Sequence, residues 1–133
     1  MLLDAGVWIA SGAPAHPEYQ SAGQLIRKPP TPLAALDLTL YEVANVVGVR
    51  DRCPDEARTL ARILRRRCAD RLAKLDQNLL ESTLELASEH GLTAYDAAYV
   101  AAARQNGWQL VSLDIRDLVS KGLAVTPEKA LYP

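Results

Sequence analysis

Short apolar runs alternate with longer helical patterns along the whole chain, and this alternation most constrains the fold. Residues 1–3, 33–36 and 108–113 have the length and composition of buried strands, residues 72–75 form a weaker candidate, and residues 123–125 suit an edge strand. Because parallel strands are joined by crossover connections that usually contain a helix, the alternation predicts an α/β fold with a parallel sheet covered by helices.

Prolines, glycines and capping residues mark where the helices begin and end. The sequence predicts helices or helical turns over residues 6–10, 17–28, 38–49, 54–69, 76–91, 93–107, 114–121 and 126–128. We expect Asp37 or Thr39 to cap the 38–49 helix, and Asp76 or Asn78 to cap the 76–91 helix.

Two of these helices have different apolar surfaces. In the 76–91 helix, the residues expected to face inward are Leu80, Thr83, Leu84 and Ala87. The 93–107 helix is apolar nearly all round over residues 97–103, which predicts a helix packed into the core rather than lying on it.

With 133 residues, 49% hydrophobic and 23% charged, the chain has the composition of one globular domain, residues 1–133. Its two cysteines lack the spacing of a zinc site, which favours reduced thiols in the cytoplasm. The apolar start has no basic region and is interrupted by Asp4, so we expect no signal peptide, and no apolar run is long enough to cross a membrane. The net charge of -1 gives no argument for a polyanionic partner.

Positive charge is concentrated in residues 50–71. This segment holds eight arginines against four acids and carries +4, which leaves -5 for the rest of the chain. On the predicted helix, Arg58, Arg62, Arg65 and Arg66 share one face beside an apolar stripe. The face is either simply solvated or contacts phosphate or a protein partner.

Four carboxylates stand where the secondary structure is predicted to change. Asp4 and Asp114 follow strands, and Glu42 and Asp96 lie in the first turns of helices. Parallel strands end at one edge of their sheet, where open α/β folds place ligands, so we expect the four acids to form one site. Unit charges about 4 Å apart interact by roughly 4 kcal/mol at an effective dielectric near 20, and a hard divalent cation is their natural counter-charge.

Each acid also has a purely structural interpretation. Asp4 and Asp114 are placed to cap the helices that follow them, Thr93-x-x-Asp96 resembles a capping box, and Glu42 alone suits a surface position. The chain lacks the Gly-x-Ser-x-Gly, Gly-x-x-x-x-Gly-Lys-Ser/Thr and Gly-x-Gly-x-x-Gly motifs, so serine hydrolase, P-loop and dinucleotide-binding functions have no support.

The four acids lie in recognisable segments. These are Leu2-Leu3-Asp4, Tyr41-Glu42-Val43-Ala44-Asn45, Thr93-Ala94-Tyr95-Asp96-Ala97-Ala98-Tyr99 and Leu110-Val111-Ser112-Leu113-Asp114. In this order they resemble the motifs of PIN-domain nucleases. The second and third are most similar to those of VapC toxins, the nuclease partners in VapBC toxin–antitoxin pairs.

The resemblance implies a three-layer α/β/α fold with a central parallel sheet, and an endoribonuclease that depends on Mg²⁺ or Mn²⁺. It also implies a homodimer and inhibition by a VapB-like antitoxin. Carried over by motif, Asp4, Glu42, Asp96 and Asp114 are the catalytic acids. On this resemblance we expect Asp4, Asp96 and Asp114 to hold the metal directly or through water, and Glu42 to orient a water or complete a second metal site. Ser112 matches a small hydroxyl position.

One position departs from the family pattern. Gly6 stands where the family usually has Ser, Thr or Asn, so a partner that supports the metal site is missing, a loss that typically costs about 10 to 100-fold in affinity or activity. Whether Asp117, expected to face solvent, helps Asp114 is open.

Two other functions share parts of this pattern. One is a PIN-like module that binds RNA or protein without cleavage. The other is an Mg²⁺-dependent phosphoryl-transfer domain, which the sequence disfavours because Asp4-Ala5-Gly6 lacks the second acid of an Asp-x-Asp motif.

Overall fold

Four very short strands form the centre of the computed structural model, which describes residues 1–133. They are β1 (Leu2–Leu3), β2 (Ala35–Leu36), β3 (Leu72–Ala73) and β4 (Leu110–Val111), and all but β3 are buried. β1 pairs in parallel with β4, and β2 with β3. Parallel bridges from Leu2 to Ala34 and from Val111 to Val125 join these pairs into the order β3-β2-β1-β4 with Val125 at the edge. The predicted parallel sheet is confirmed, although the 123–125 strand is reduced to that single bridge.

Helices fill the intervals between the strands, as the alternation predicts. They are α1 (Ala5–Ser11), α2 (Tyr19–Arg27), α3 (Asp37–Val43), α4 (Pro54–Cys68), α5 (Gln77–His90), α6 (Ala94–Asn106) and α7 (Pro127–Leu131). A short 3₁₀ segment, Ala69–Arg71, follows α4, and π-helical turns occupy Ala44–Arg50 and Ile115–Val119. The first π-helical turn continues α3 directly after Val43, the residue that follows Glu42.

Several helix ends match their predicted signals. Asp76 caps α5 and Thr93 caps α6, while Gly91 and Gly107 end these helices in the left-handed conformation that favours glycine. α2 begins at Tyr19, so the predicted 17–28 helix starts two residues too early and Pro17 lies outside it.

The capping of α3 also differs from the prediction. Neither Asp37 nor Thr39 is its cap, because the helix begins at Asp37 itself and Leu36 occupies the capping position. The backbone N–H of Leu36 donates a hydrogen bond to Thr39 Oγ1 at 3.1 Å. Thr39, a residue of the first turn, therefore accepts the hydrogen bond at the start of α3, and its side chain is buried.

Alternation along the strands divides the core into two halves. Leu3 and Val111 pack on one side of the sheet, in a cluster with side chains from α1, α2 and α4. Leu2 and Leu110 pack on the other side, against α5 and α6. Because successive strand side chains point to opposite faces, these short strands are enough to hold both helical layers, and the three-layer α/β/α arrangement is confirmed.

The two helices of the second layer differ in how well the sequence predicted them. Residues 97–103 of α6 are all buried, as predicted. In α5, the expected inward positions Leu80 and Leu84 are wrong, since they are 48% and 54% exposed. Leu79 and Leu86 face the core instead, together with Thr83, which is buried as predicted. None of the helices combines the length and hydropathy needed to cross a membrane.

The packing of α6 predicts a stability effect. Ala101 is 1% exposed, so Ala101→Leu adds three carbons where there is no room, and we expect a loss of about 1–3 kcal/mol in the free energy of unfolding. Ser88→Leu, on the exposed side of α5, is the control and should change it by less than about 0.5 kcal/mol. Urea denaturation measures both, and equal effects would contradict this account of α6.

Candidate active site

Asp4 lies at the carboxyl end of β1, between the sheet and the start of α1. Its backbone N–H donates to the Val111 carbonyl at 3.1 Å, which continues the β1–β4 pairing by one residue. Its side chain caps α1, accepting a hydrogen bond from the Val7 N–H at Oδ1 over 3.0 Å. The capping interpretation of this acid is therefore confirmed.

Asp114 reaches the same edge of the sheet from β4. Ser112, fully buried one residue after the strand, accepts a hydrogen bond from the Asp114 backbone N–H at Oγ over 2.9 Å. Asp114 Oδ1 in turn accepts from the Asp117 N–H at 2.8 Å and so caps the following π-helical turn. The buried hydroxyl thus fixes the backbone from which the Asp114 carboxylate projects.

The two remaining acids come from helices. Asp96 lies in the first turn of α6, as predicted. The prediction that Glu42 lies in a first turn is wrong, because α3 begins at Asp37 and ends at Val43, which makes Glu42 its second-last residue. Glu42, on α3, accepts a hydrogen bond from the Tyr99 hydroxyl at Oε1 over 2.9 Å. Asp96, in the first turn of α6, accepts one from the Thr93 hydroxyl at Oδ2 over 2.7 Å, and its own N–H donates to Thr93 Oγ1 at 3.1 Å. The bond from the Asp96 N–H to Thr93 is the first half of the capping box that the sequence indicates. The second half differs, because Asp96 accepts from the Thr93 hydroxyl rather than from the Thr93 backbone N–H.

Electrostatic interactions connect three of the acids. Burial raises the pKa of Asp4 to about 6, with smaller upward contributions from the charges of Glu42 and Asp96. The Ser112 hydroxyl and the Val7 N–H act in the opposite direction. Burial also raises the pKa of Glu42, and Asp96 adds to that rise while the Tyr99 hydrogen bond opposes it. Asp4, Glu42 and Asp96 are therefore close enough to repel one another.

None of the four acids has a basic partner. The ion pairs of the structure involve Asp51, Asp55, Glu89 and Asp117, all outside this group. Asp117 bonds Arg116 at 2.6 Å and lies 3.6 Å from Lys121, and these contacts lower the pKa of its carboxyl group. Its contribution to Asp114 is the backbone N–H, since its carboxylate is already neutralised.

The donor set fits a hard divalent cation bound largely through water. All the donors are carboxylate oxygens that form no ion pair, which is the chemistry that Mg²⁺ and Mn²⁺ prefer. The structure nevertheless has no group of three Asp, Glu, His or Cys side chains arranged to hold one ion. Since Mg²⁺ usually keeps several water ligands, few direct protein ligands are needed.

Gly6 leaves space beside Asp4. A Cβ atom built on Gly6 would lie 3.4 Å from Asp4 Oδ1 and 3.9 Å from the Leu113 Cβ, which are ordinary contact distances. A side chain on residue 6 would therefore extend next to the Asp4 carboxylate. The glycine is not required by backbone conformation, because its φ angle is not positive.

Sequence reasoning missed two residues of this site. Thr39 appears in the sequence only as a candidate cap, and Tyr99 as one of the apolar residues of a core helix. Both are buried, and their hydroxyl groups lie 2.8 Å apart, directly behind Glu42. The available signal was the helical spacing, since Thr39 and Glu42 are three residues apart, as are Asp96 and Tyr99.

Comparisons with known proteins agree with this geometry. A model of the PIN domain matches residues 1–120. Ribonuclease VapC3 of Pyrobaculum aerophilum is 39% identical over 100 residues, which are 71% of this chain and 76% of that protein. Exonuclease VapC9 of the same organism is 34% identical over 89 residues, 67% of this chain and 66% of that protein.

Solved structures share the fold as well. A chain of a toxin–antitoxin complex from Klebsiella pneumoniae superposes with a TM-score of 0.71 at 22% identity, over 95% of this chain and 96% of that one. The chain belongs to the PIN-domain family. Within that family, the relatives to which it is similar in sequence carry VapC names, so the resemblance drawn from the sequence is confirmed.

The raised pKa of Asp4 predicts a pH-dependent stability. An acid whose pKa rises from 3.8 to about 6 on folding stabilises the fold fully only below pH 4, and this contribution is lost as the pH rises to about 6. We expect Asp4→Asn, which keeps a capping oxygen, to become more stable than the parent chain over this range, by roughly 3 kcal/mol at neutral pH.

Urea unfolding at pH 4 to 8, in the presence of a chelator, measures the difference between the two proteins. Asp70→Asn serves as the control, because Asp70 is exposed and makes no ion pair or side-chain hydrogen bond. A difference between Asp4→Asn and the parent chain that stays constant with pH would contradict the burial of a titrating carboxyl group.

Proposed function

We propose that this chain is a metal-dependent endoribonuclease of the VapC type, the toxin of a toxin–antitoxin pair, that hydrolyses RNA phosphodiester bonds. The observation that carries the proposal is the group of mutually repelling carboxylates at the carboxyl edge of the sheet, which has no basic partner. Family membership and the VapC ribonuclease relative support the same activity.

Asp4, Asp96 and Asp114 are the residues that we propose to hold Mg²⁺ or Mn²⁺, directly or through water. A metal bound there supplies a water of lowered pKa and neutralises charge on the phosphate. Asp96 and Asp114 each use one oxygen in the local hydrogen bonds described above, which leaves the other oxygen for a metal or a water. Ser112 holds the backbone that carries Asp114.

Glu42 has a separate role in this proposal. Its Oε1 is engaged by Tyr99, and its Oε2 accepts no hydrogen bond from the protein. We propose that this free oxygen orients the attacking water or contributes to a second metal position. Its raised pKa favours the acceptance of a proton from a water, because a more basic carboxylate takes up a proton more readily.

We propose that only part of the arginine-rich segment, residues 50–71, contacts the RNA backbone. Arg71 lowers the pKa of the Met1 amino group, so the C-terminal end of α4 lies toward the amino edge of the sheet, away from the acids. A 15-residue helix is about 22 Å long. We therefore propose that the arginines near its start, Arg50, Arg52 and Arg58, are the ones that lie on the side of the acids.

The rest of this surface suits a protein partner. A cavity of about 1160 Å³ lies between α1, α2 and α4, and none of the four acids lines it. Apolar Ile26, Leu60 and Ile63 line it together with Arg66 and Arg67. We propose that a VapB-like antitoxin binds here, because a similar chain occurs in a toxin–antitoxin complex, and that the toxin itself is a homodimer.

Two observations keep a non-catalytic PIN-like module as the second candidate. Gly6 removes a side chain beside Asp4, and no three ligands are arranged for direct metal binding. Such a module would bind a divalent metal without cleaving RNA. The PIN-domain match argues against the phosphoryl-transfer alternative.

A circular RNA substrate tests the proposed activity, since only an endonuclease can open it and one relative is named an exonuclease. We expect cleavage with Mg²⁺ or Mn²⁺, none with chelator, and a loss of at least about 100-fold in Asp96→Asn, which removes a metal-binding charge but keeps the acceptor for Thr93. Asp70→Asn is the control. Full activity of a folded Asp96→Asn variant would remove Asp96 from the site, and cutting of linear RNA alone would favour an exonuclease.

The space beside Asp4 predicts a gain of function. Gly6→Ser places a hydroxyl donor next to Asp4 Oδ1, and we expect Mn²⁺ affinity or cleavage rate to rise, by up to about 10 to 100-fold. Gly6→Ala, which fills the space without a donor, is the matched control. Calorimetry measures affinity without requiring activity, and equal affinities for the two variants would contradict a role for the hydroxyl.

A further inference from the structure

Two buried hydroxyl groups form a chain behind Glu42. The Leu36 backbone N–H lies 3.1 Å from Thr39 Oγ1, which lies 2.8 Å from the Tyr99 hydroxyl, which lies 2.9 Å from Glu42 Oε1. Thr39 is 0% exposed and Tyr99 2% exposed, so neither hydroxyl can exchange its partner for water. The chain crosses from the end of β2 through α3 to α6.

Counting protons fixes the direction of every bond in this chain. An ionised carboxylate only accepts, so Tyr99 donates its one proton to Glu42. Thr39 must then donate to the Tyr99 oxygen while it accepts from the Leu36 N–H. Burial and the charge of Glu42 raise the pKa of Tyr99 far above its usual value, so the phenol stays protonated and remains a donor. All groups are satisfied in this one arrangement.

The position of the chain relates it to the acids. Thr39 and Glu42 share a face of α3, and Asp96 and Tyr99 share a face of α6, each pair three residues apart. The bond from Tyr99 to Glu42 therefore ties together the two helices that carry acids of the site. It also leaves Glu42 Oε2 free to face the other acids of the site.

We infer that Tyr99, itself held by Thr39, is a positioning residue that fixes the Glu42 carboxylate for its work at the metal site. The inference rests on the proposed function, since it assigns Tyr99 a task within that site. Tyr99 does not contact substrate in this role; it acts only through Glu42. A Tyr99 hydroxyl that only satisfied its own hydrogen bonds would stabilise the fold, and it would have no effect on activity that depends on Glu42.

A double-mutant cycle separates these two roles. Tyr99→Phe removes one oxygen atom, and we expect kcat for RNA cleavage to fall about 10 to 100-fold with KM changed less than about twofold. In a Glu42→Gln background, Tyr99→Phe should cause no further loss, because the group it positions is already gone. Tyr19→Phe is the control, since the Tyr19 hydroxyl makes no hydrogen bond in the structure.

Conservative substitution at Thr39 tests the other end of the chain. Thr39→Ser keeps the hydroxyl and should retain kcat, whereas Thr39→Val removes it and should resemble Tyr99→Phe. Urea denaturation of every variant shows that the comparison is made between folded proteins. An unchanged kcat in Tyr99→Phe, or the same loss in the parent and Glu42→Gln backgrounds, would overturn the inference.

Mn²⁺ binding, measured by calorimetry, provides a readout that does not need cleavage. If the parent chain binds Mn²⁺ but cuts no RNA, the proposed function fails while the cycle is completed on Mn²⁺ affinity. The inference is then supported if Tyr99→Phe weakens Mn²⁺ affinity in the parent chain but causes no further weakening in the Glu42→Gln background. An affinity that is the same in all variants, or no Mn²⁺ binding at all, overturns it.

Discussion

The burial of the Asp4 carboxylate at the end of β1 is the interaction on which the rest of the structure depends. An ionised carboxylate is costly to remove from water, and here burial is the largest cause of its raised pKa. The fold tolerates it because the Val7 N–H and the Ser112 hydroxyl stabilise the charge. Pairing of β1 with β4 brings these groups together, so the sheet, the start of α1 and the acidic site form one arrangement.

The fold was largely predictable because its periodicities are strong. The all-apolar stretch of α6 and the caps Asp76 and Thr93 could be read directly from the sequence, since each depends on residues close to one another along the chain. The inward face of α5 could not be, because Leu80 and Leu84 are as apolar as the buried Leu79 and Leu86. Periodicity alone does not distinguish these two leucine pairs. The short strands were overestimated for a similar reason, since apolar runs extend beyond the residues that pair.

The site was predictable at the level of its acids and not of their supports. Asp4 and Asp114 stand out because a charge directly follows a buried strand. Thr39 does not stand out, because a threonine hydroxyl on a helix can equally bond to its own backbone. Tyr99 does not stand out, because it lies in an apolar stretch that is explained by burial alone. Only the three-dimensional distance of 2.8 Å between their oxygens shows that they form a pair. Likewise, the space that Gly6 leaves beside Asp4 depends on the path of the backbone.

Capping by the acids has a consequence for mutational surveys of this chain. Asp4 and Asp114 each accept a hydrogen bond from the backbone at a helix start, and Asp96 accepts one from the residue that caps its helix. Truncating any of them to alanine disturbs folding and chemistry simultaneously, because the same carboxylate serves both, so each such substitution is pleiotropic. A genetic screen that selects for survival would recover misfolded and inactive clones at the same codons, and only isosteric amides would tell the two phenotypes apart.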